Sequence, residues 1–185
     1  MIRHSTVAER TCLNILRRHR ILAVLAAILL IPFLLPEWPV IPVEGAGPRD
    51  WNPASFWHGG WGASGVHKGI DIFAPRGRSV ISAGWGMVVY QGELPLGGNV
   101  VAALGPKWRL HYYAHLDRAS VGPLSLLAPG SKLGEVGNTG DAAGRPTHLH
   151  YAILSLVPRP WHIATGAQGW KRMFFVDPGK WLTGG

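Results

Sequence analysis

His148 and His150 stand two residues apart in the stretch Pro146-Thr147-His148-Leu149-His150-Tyr151. In an extended segment such a pair points to one side of the backbone, with Cα atoms roughly 6 to 7 Å apart at a rise of about 3.3 Å per residue. One imidazole could then bind a metal while the other stands beside it. Two solvent-facing histidines on an alternating strand are the ordinary alternative. The metal reading gains from two upstream clusters, His67-Lys68-Gly69-Ile70-Asp71 and Tyr113-Ala114-His115-Leu116.

His67 and Asp71 would lie about 13 Å apart in a fully extended chain, too far to share an ion whose bonds are about 2.0 to 2.2 Å. Gly69 and the following Pro75 argue against a helix, so the backbone must bend between them, and Gly69 supplies that freedom. In the third cluster His111, Tyr113 and His115 alternate with Leu110, Tyr112, Ala114 and Leu116. That alternation predicts a polar, aromatic strand face looking into a site, with His111 in a structural role. Taken together, His67, Asp71 and His150 form a two-histidine, one-carboxylate set with a free fourth position, the arrangement expected of catalytic zinc. His115 and His148 remain as neutral imidazoles able to take a proton from water nearby. The helical His-Glu-x-x-His motif is absent.

The elements that must position these residues are short β runs bounded by turn residues. Expected strands are Ser79 to Ala83, Gly86 to Gln91, Asn99 to Leu104, Arg109 to Leu116, Lys132 to Val136 and Leu149 to Leu156. Pro75-Arg76-Gly77, Gly97-Gly98, Gly105-Pro106, Pro129-Gly130 and Asn138-Thr139-Gly140 punctuate them. No helical period persists beyond about two turns after residue 45. The expected class is all-β, with antiparallel sheets and long loops. With 185 residues, 47% of them hydrophobic, the chain can bury one core. The 25 Gly and 15 Pro are spread among apolar runs, which favours a turn-rich β protein over disorder.

The formal net charge is +8. Five of the cations, Arg3, Arg10, Arg17, Arg18 and Arg20, precede the first apolar run, and the 13 basic against 7 acidic residues from Gly45 onward leave +6. The charge is dispersed and no basic recognition helix is evident, so nucleic acid is not an expected partner. The single cysteine, Cys12, excludes an intrachain disulfide and a thiol-based site.

Residues 1–20 read as a basic cytoplasmic N-terminus. The uncharged run Ile21 to Leu35 has no polar face at helical spacing and belongs in a membrane or a translocon. Residues 21–43 are expected as an uncleaved membrane-anchoring helix, with a signal segment as the alternative. The basic flank would stay in the cytoplasm, leaving the C-terminal remainder of the chain on the extracytoplasmic side of the inner membrane. Residues 44–55, with Pro48 and Pro53, read as a linker, and residues 56–185 as the functional domain. That domain opens with an aromatic, Gly-rich loop, Trp57-His58-Gly59-Gly60-Trp61-Gly62.

The motifs resemble those of the lysostaphin-type (LytM-like) zinc endopeptidases of bacterial cell walls, whose pattern runs His-x-x-x-Asp, Tyr-Ala-His-Leu, His-Leu-His. Connecting stretches are similar too: Ala74-Pro75-Arg76-Gly77, Gly98-Asn99-Val100-Val101, Gly134 to Gly140 and Val176-Asp177-Pro178. The resemblance spans residues from about 60 to 182 and implies a duplicated-hybrid-motif type of β fold. It implies one zinc ion on His67, Asp71 and His150, catalytic histidines at His115 and His148, and the peptide part of peptidoglycan as substrate. The division of labour between His148 and His150 comes from this resemblance. Residues 157–175, with Trp161, His162 and Trp170, depart from the pattern and bear on groove shape and substrate preference. A catalytically silent module of the same type, regulating another cell-wall hydrolase, is the rival expectation.

Overall fold

The computed structural model describes residues 7–61 and 65–184, so Arg3 of the basic leader and Gly62 of the Gly-rich loop lie outside the described residues. The chain forms two compact units, Met1–Leu35 and Pro36–Gly185.

The first unit carries the helix α1 (Val7–Leu34). It stops just before Leu35, whose α conformation is disfavoured by the ring of Pro36. From Ile21 to Leu34 its side chains are uncharged, and most of its large apolar side chains are exposed. That stretch extends about 21 Å at 1.5 Å per residue, short of a hydrocarbon core of about 30 Å. No helix among the described residues is long and apolar enough to cross a membrane. The expectation of a membrane-spanning helix over 21–43 is therefore not supported. Its final third, broken by Pro36, Pro39 and Pro42, leaves the helix and joins the second unit.

That junction also changes the reading of residues 44–55 as a linker. The Val40 amide donates to the Ala83 carbonyl at 2.8 Å, Ile81 to Pro42 at 3.1 Å and Glu44 to Ser79 at 3.0 Å, around a Val43–Val80 bridge. Val43 and Trp51 are buried in the core. The prolines prevent a regular strand without preventing this strap from packing.

The second unit is antiparallel β. Among the described residues its main sheet has nine strands, with the path β11 (Phe175–Val176), β10 (His148–Ser155), β7 (Arg109–Ala119), β6 (Gly98–Gly105), β5 (Gly86–Leu94), β8 (Leu126–Leu127). Off that path β3 (Ile70–Phe73) pairs with β10, and β9 (Lys132–Val136) pairs with both β7 and β4 (Ser79–Ile81). The small hairpin β1 (Gly59–Trp61) and β2 (Gly65–Val66) stands apart. All six expected strands are present within a few residues. The short β1, β2, β3, β8 and β11 were not among them, and a six-residue helix α2 (Pro178–Thr183) closes the chain behind its Asp177 cap.

Side-chain alternation divides the sheet into two faces. Ile70, Ile72, Tyr113, Leu149, Tyr151 and Ile153 are fully buried in one core with Val80, Leu133 and Val136. The intervening positions, Asp71 and Phe73 on β3 and His148, His150, Ala152 and Leu154 on β10, face an open groove of about 550 Å³.

Candidate active site

Strand β10 lies between β3 and β7, and this arrangement assembles the site. Its register sets His150 opposite Asp71 on one side and Ala114 on the other, and His148 opposite Phe73. His67 lies just before β3, and the bend at Gly69 lets its ring reach Asp71. The result is a triangle of three atoms: His67 Nε2 to Asp71 Oδ1 is 3.1 Å, His67 Nε2 to His150 Nδ1 is 3.1 Å, and His150 Nδ1 to Asp71 Oδ1 is 2.9 Å.

The donor chemistry fits a metal ion. The Ser55 carbonyl can only accept, so His67 Nδ1, 3.2 Å away, carries the hydrogen and leaves Nε2 as a lone-pair atom. That lone pair converges with a carboxylate oxygen and an imidazole nitrogen, and a proton or a cation must lie among them. A zinc tetrahedron with bonds of about 2.0 to 2.1 Å has edges of about 3.3 Å, close to the observed spacings. Among the described residues, His67, Asp71 and His150 are the group of His, Cys, Asp and Glu side chains that could hold an ion. Burial alone would raise the Asp71 pKa, but the hydrogen bonds to His150 and His67 outweigh it and hold the carboxyl well below its usual range.

Gly69 stands at the expected bend. Its φ is not among the positive values, and it also contributes room. A Cβ there would overlap the Tyr151 carbonyl and lie 2.9 Å from the His150 ring.

The structure places His115 by a device that alternation does not reveal. Leu110, Tyr112 and Ala114 line the groove, while His111 and Tyr113 point into the core. Regular alternation would send His115 into the core with them. Instead the β6–β7 register shifts between the Asn99–Leu116 and Val101–Tyr113 pairs, and His115 takes φ +63°. This bulge turns the ring into the groove. The face expected to carry His111, Tyr113 and His115 together is thus split. His111 is structural as expected: it is buried, with Nδ1 2.7 Å from the Tyr151 hydroxyl. Burial, assisted by the Arg109 charge, pushes its pKa down to about 3.

Backbone carbonyls orient both remaining imidazoles. His115 Nδ1 donates to Thr139 O at 2.9 Å and His148 Nδ1 donates to Pro146 O at 2.8 Å. Each ring therefore presents an unprotonated Nε2 when neutral. Their centroids are 5.0 Å apart, and His115 lies 5.9 Å from His150. His148 Nε2 is 3.8 Å from Asp71 Oδ1, and His115 Nε2 is 3.8 Å from Asp141 Oδ1. Burial, then the nearby His150 and His148, push the His115 pKa down to about 4, which keeps the ring neutral. All five expected residues, His67, Asp71, His115, His148 and His150, line one groove.

The sequence carried little signal for the groups that hold them. Ser55 and Pro146 act through carbonyls, which any residue possesses. Thr139 stood only within an apparent turn, yet its hydroxyl donates to Leu116 O at 2.9 Å and accepts from the Asn99 amide at 2.9 Å, which pins the bulge. Tyr112 also lines the groove; burial, with help from Asp141, pushes its pKa up to about 12.

Sheet, groove and cluster belong to one class of protein, the lysostaphin-type peptidases. The sequence model of peptidase family M23 matches residues 65–158, about half of the chain and all five site residues, and the chain belongs to that family. The L-Ala--D-Glu endopeptidase of Bacillus subtilis is 34% identical over 113 residues, covering 56% of this chain and 35% of the relative. The murein hydrolase activator NlpD of Escherichia coli is 36% identical over 95 residues, covering 50% of this chain and 24% of the relative. The chain thus spans about a third or less of the length of these curated relatives. The catalytic domain of the antimicrobial peptidase lysostaphin from Staphylococcus simulans superposes with a TM-score of 0.56 at 22% identity, covering 69% of this chain and 90% of that one. That likeness is one of fold.

Proposed function

We propose that this chain is a zinc-dependent endopeptidase that cuts the peptide part of bacterial peptidoglycan, with His67, Asp71 and His150 as zinc ligands and His115 and His148 as the catalytic histidines. The observation that carries the reading is the completeness of the set: three ligand atoms within 3.1 Å of one another beside two imidazoles whose Nε2 atoms are left as acceptors. Bound zinc would supply electrophilic activation of the scissile carbonyl and of the attacking water. The chain's own groups handle the protons. One Nε2 of the His115 and His148 pair takes the water's proton and returns it to the leaving amine, and the other ring must take a proton from solvent before it can donate to the oxyanion. Thr139 O and Pro146 O hold both rings in the required tautomer. The apolar lining of Phe73, Leu96, Leu110, Leu154 and Phe175 excludes water around the peptide.

The uncharged stretch Ile21 to Leu34 behind Arg17, Arg18 and Arg20 has the length of an export segment's apolar region, about 7 to 15 residues. It supports placement of the sheet unit on the extracytoplasmic side, where peptidoglycan lies. Cell fractionation with a reporter fused after Gly185 tests this, and a reporter found in the cytosol would refute it.

A second reading is favoured by the similarity to a murein hydrolase activator: a module that binds another wall hydrolase and leaves cleavage to it. The complete ligand set favours the enzyme. Incubating the purified, zinc-loaded protein with peptidoglycan separates the two. Release of soluble peptides by the protein alone supports the enzyme, and release only when a second hydrolase is added supports the activator.

A further inference from the structure

Residues 157–175 lie almost wholly beyond the stretch matched by the family model, and of that segment only Phe175, among the described residues, lines the groove. The rest forms an arch with two short helical turns, Pro160–His162 and Gly169–Phe174. Two backbone bonds tie its limbs together: the Arg159 amide donates to Met173 O at 2.9 Å and the Ala164 amide to Gly169 O at 3.2 Å. The arch leaves apolar side chains in solvent. Trp161 is 75% exposed, Trp170 58% and Ile163 53%, and Leu156 and Val157 are exposed at its foot. Exposed apolar side chains gathered on one small element mark an interaction surface.

The charge of this surface has one sign, since the segment contains Arg159, Lys171 and Arg172 and no Asp or Glu. Its cations rest on a backbone carbonyl and on rings instead of carboxylates. Arg159 donates to Phe175 O, Lys171 Nζ lies 5.6 Å from the Trp170 ring, and Arg172 lies 6.0 Å from the Phe56 ring. Exposed indoles with cations beside them suit the boundary between lipid headgroups and acyl chains, where Trp is enriched and each cation near an anionic surface adds attraction.

The chain also enters the sheet unit at this edge. Glu37 accepts from Arg109 Nη1 at 2.8 Å and from Lys107 Nζ at 2.7 Å. Arg109 pairs with Ser155 at the end of β10, and the Leu156 amide donates to Trp108 O at 2.9 Å. Trp38, next to Glu37 in the chain, is a further exposed indole.

We propose that the arch, through Trp161, Ile163 and Trp170 with Lys171, docks the sheet unit on an anionic lipid surface. No histidine of the groove takes part, so the inference stands apart from the hydrolase reading. Full-length protein carrying Cys12→Ser and Ile163→Cys is labelled at position 163 with an environment-sensitive nitrobenzoxadiazole dye. It is mixed with vesicles of phosphatidylglycerol and phosphatidylcholine in equal parts, or of phosphatidylcholine alone. A control carries the label through Leu126→Cys, at an exposed position on β8, the opposite end of the strand path. Lipid binding through the N-terminal apolar stretch alone leaves both labels in water.

On the anionic vesicles the label at 163 brightens severalfold and shifts to the blue, while it hardly responds to neutral ones and the label at 126 responds to neither. Lys171→Gln raises the lipid needed for half of that response about fivefold, the worth of one cation near the surface, and Lys171→Arg does not. Silence at 163 on anionic vesicles, an equal response at 126 or to neutral vesicles, or an unchanged response in Lys171→Gln overturns the docking face. So does a response to intact peptidoglycan in place of vesicles, which assigns the arch to wall glycan. Peptide release by the same labelled protein tests the hydrolase reading separately, and its failure leaves the docking result standing.

Discussion

Asp71 and His150 are directly opposed in the antiparallel β3–β10 ladder, and their Oδ1 and Nδ1 atoms are 2.9 Å apart. Residues far apart in the chain become neighbours through strand register, which is rigid because a one-residue slip would move every side chain of β10 to the opposite face. The ligand geometry is thus built into the sheet, and His67 is added by the short bend before β3.

Asp71→Asn keeps the volume but removes the charged ligand oxygen. Zinc affinity, measured by chelator competition, is expected to fall by more than about a hundredfold, since even the loss of an outer partner to a ligand costs 10- to 100-fold. Affinity within a factor of a few of wild type would remove Asp71 from the ligand set.

His115→Ala and His148→Ala are expected to retain one zinc per chain while peptidoglycan cleavage falls at least about a hundredfold, the loss typical of a missing proton-transfer group. Zinc content by atomic emission, read beside the rate, checks both. Full activity in either variant would remove that histidine from the chemistry.

Gly69→Ala places a methyl group against the Tyr151 carbonyl and the His150 ring. Strand β10 must then shift away from β3. Weakened zinc binding with an accompanying loss of thermal stability is expected, whereas Gly122→Ala, with open space around it and no positive φ, is expected to leave zinc affinity unchanged.

Thr139→Val is nearly isosteric but leaves the Asn99 amide and the Leu116 carbonyl without the hydroxyl that serves both. The expected loss is about 1–3 kcal/mol in urea unfolding. Activity is expected to fall further than stability alone explains, because the bulge that aims His115 relaxes. Wild-type stability in this variant would show that the hydroxyl does not hold the bulge.

Acid is expected to destabilise the metal-free fold. His111 and His115 have folded-state pKa values of about 3 and about 4, below the ordinary histidine value of 6.5. The unfolded chain therefore binds more protons in this window. Stability from these groups is full above about pH 6.5 and is lost as pH falls toward about 4 and then about 3. Urea midpoints at about pH 7.5 and about pH 5 should show the fall, and His111→Gln should make it shallower. An equal slope in that variant would contradict the buried neutral His111.

Much of the site was legible because His148 and His150 keep a two-residue spacing along β10, which sends both to one face. Strand β3 was not legible, since four residues with one acid and three apolar side chains give no period long enough to recognise. The bulge at His115 was hidden for a different reason. A parity change in alternation depends on the hydrogen bonds of Thr139 and on the facing Asn99, which lie 24 and 16 positions from His115 in the chain. The strap around Val43 misled through its prolines, which exclude regular structure but not burial.

The claim that this chain is a zinc endopeptidase is tested most directly by mass spectrometry of purified peptidoglycan incubated with the protein under three conditions: zinc-loaded, chelator-treated and zinc-restored. New peptide ends are expected with the loaded protein, none after chelation, and their return with added zinc. The same ends appearing under chelation, or none appearing with the loaded protein, would contradict it.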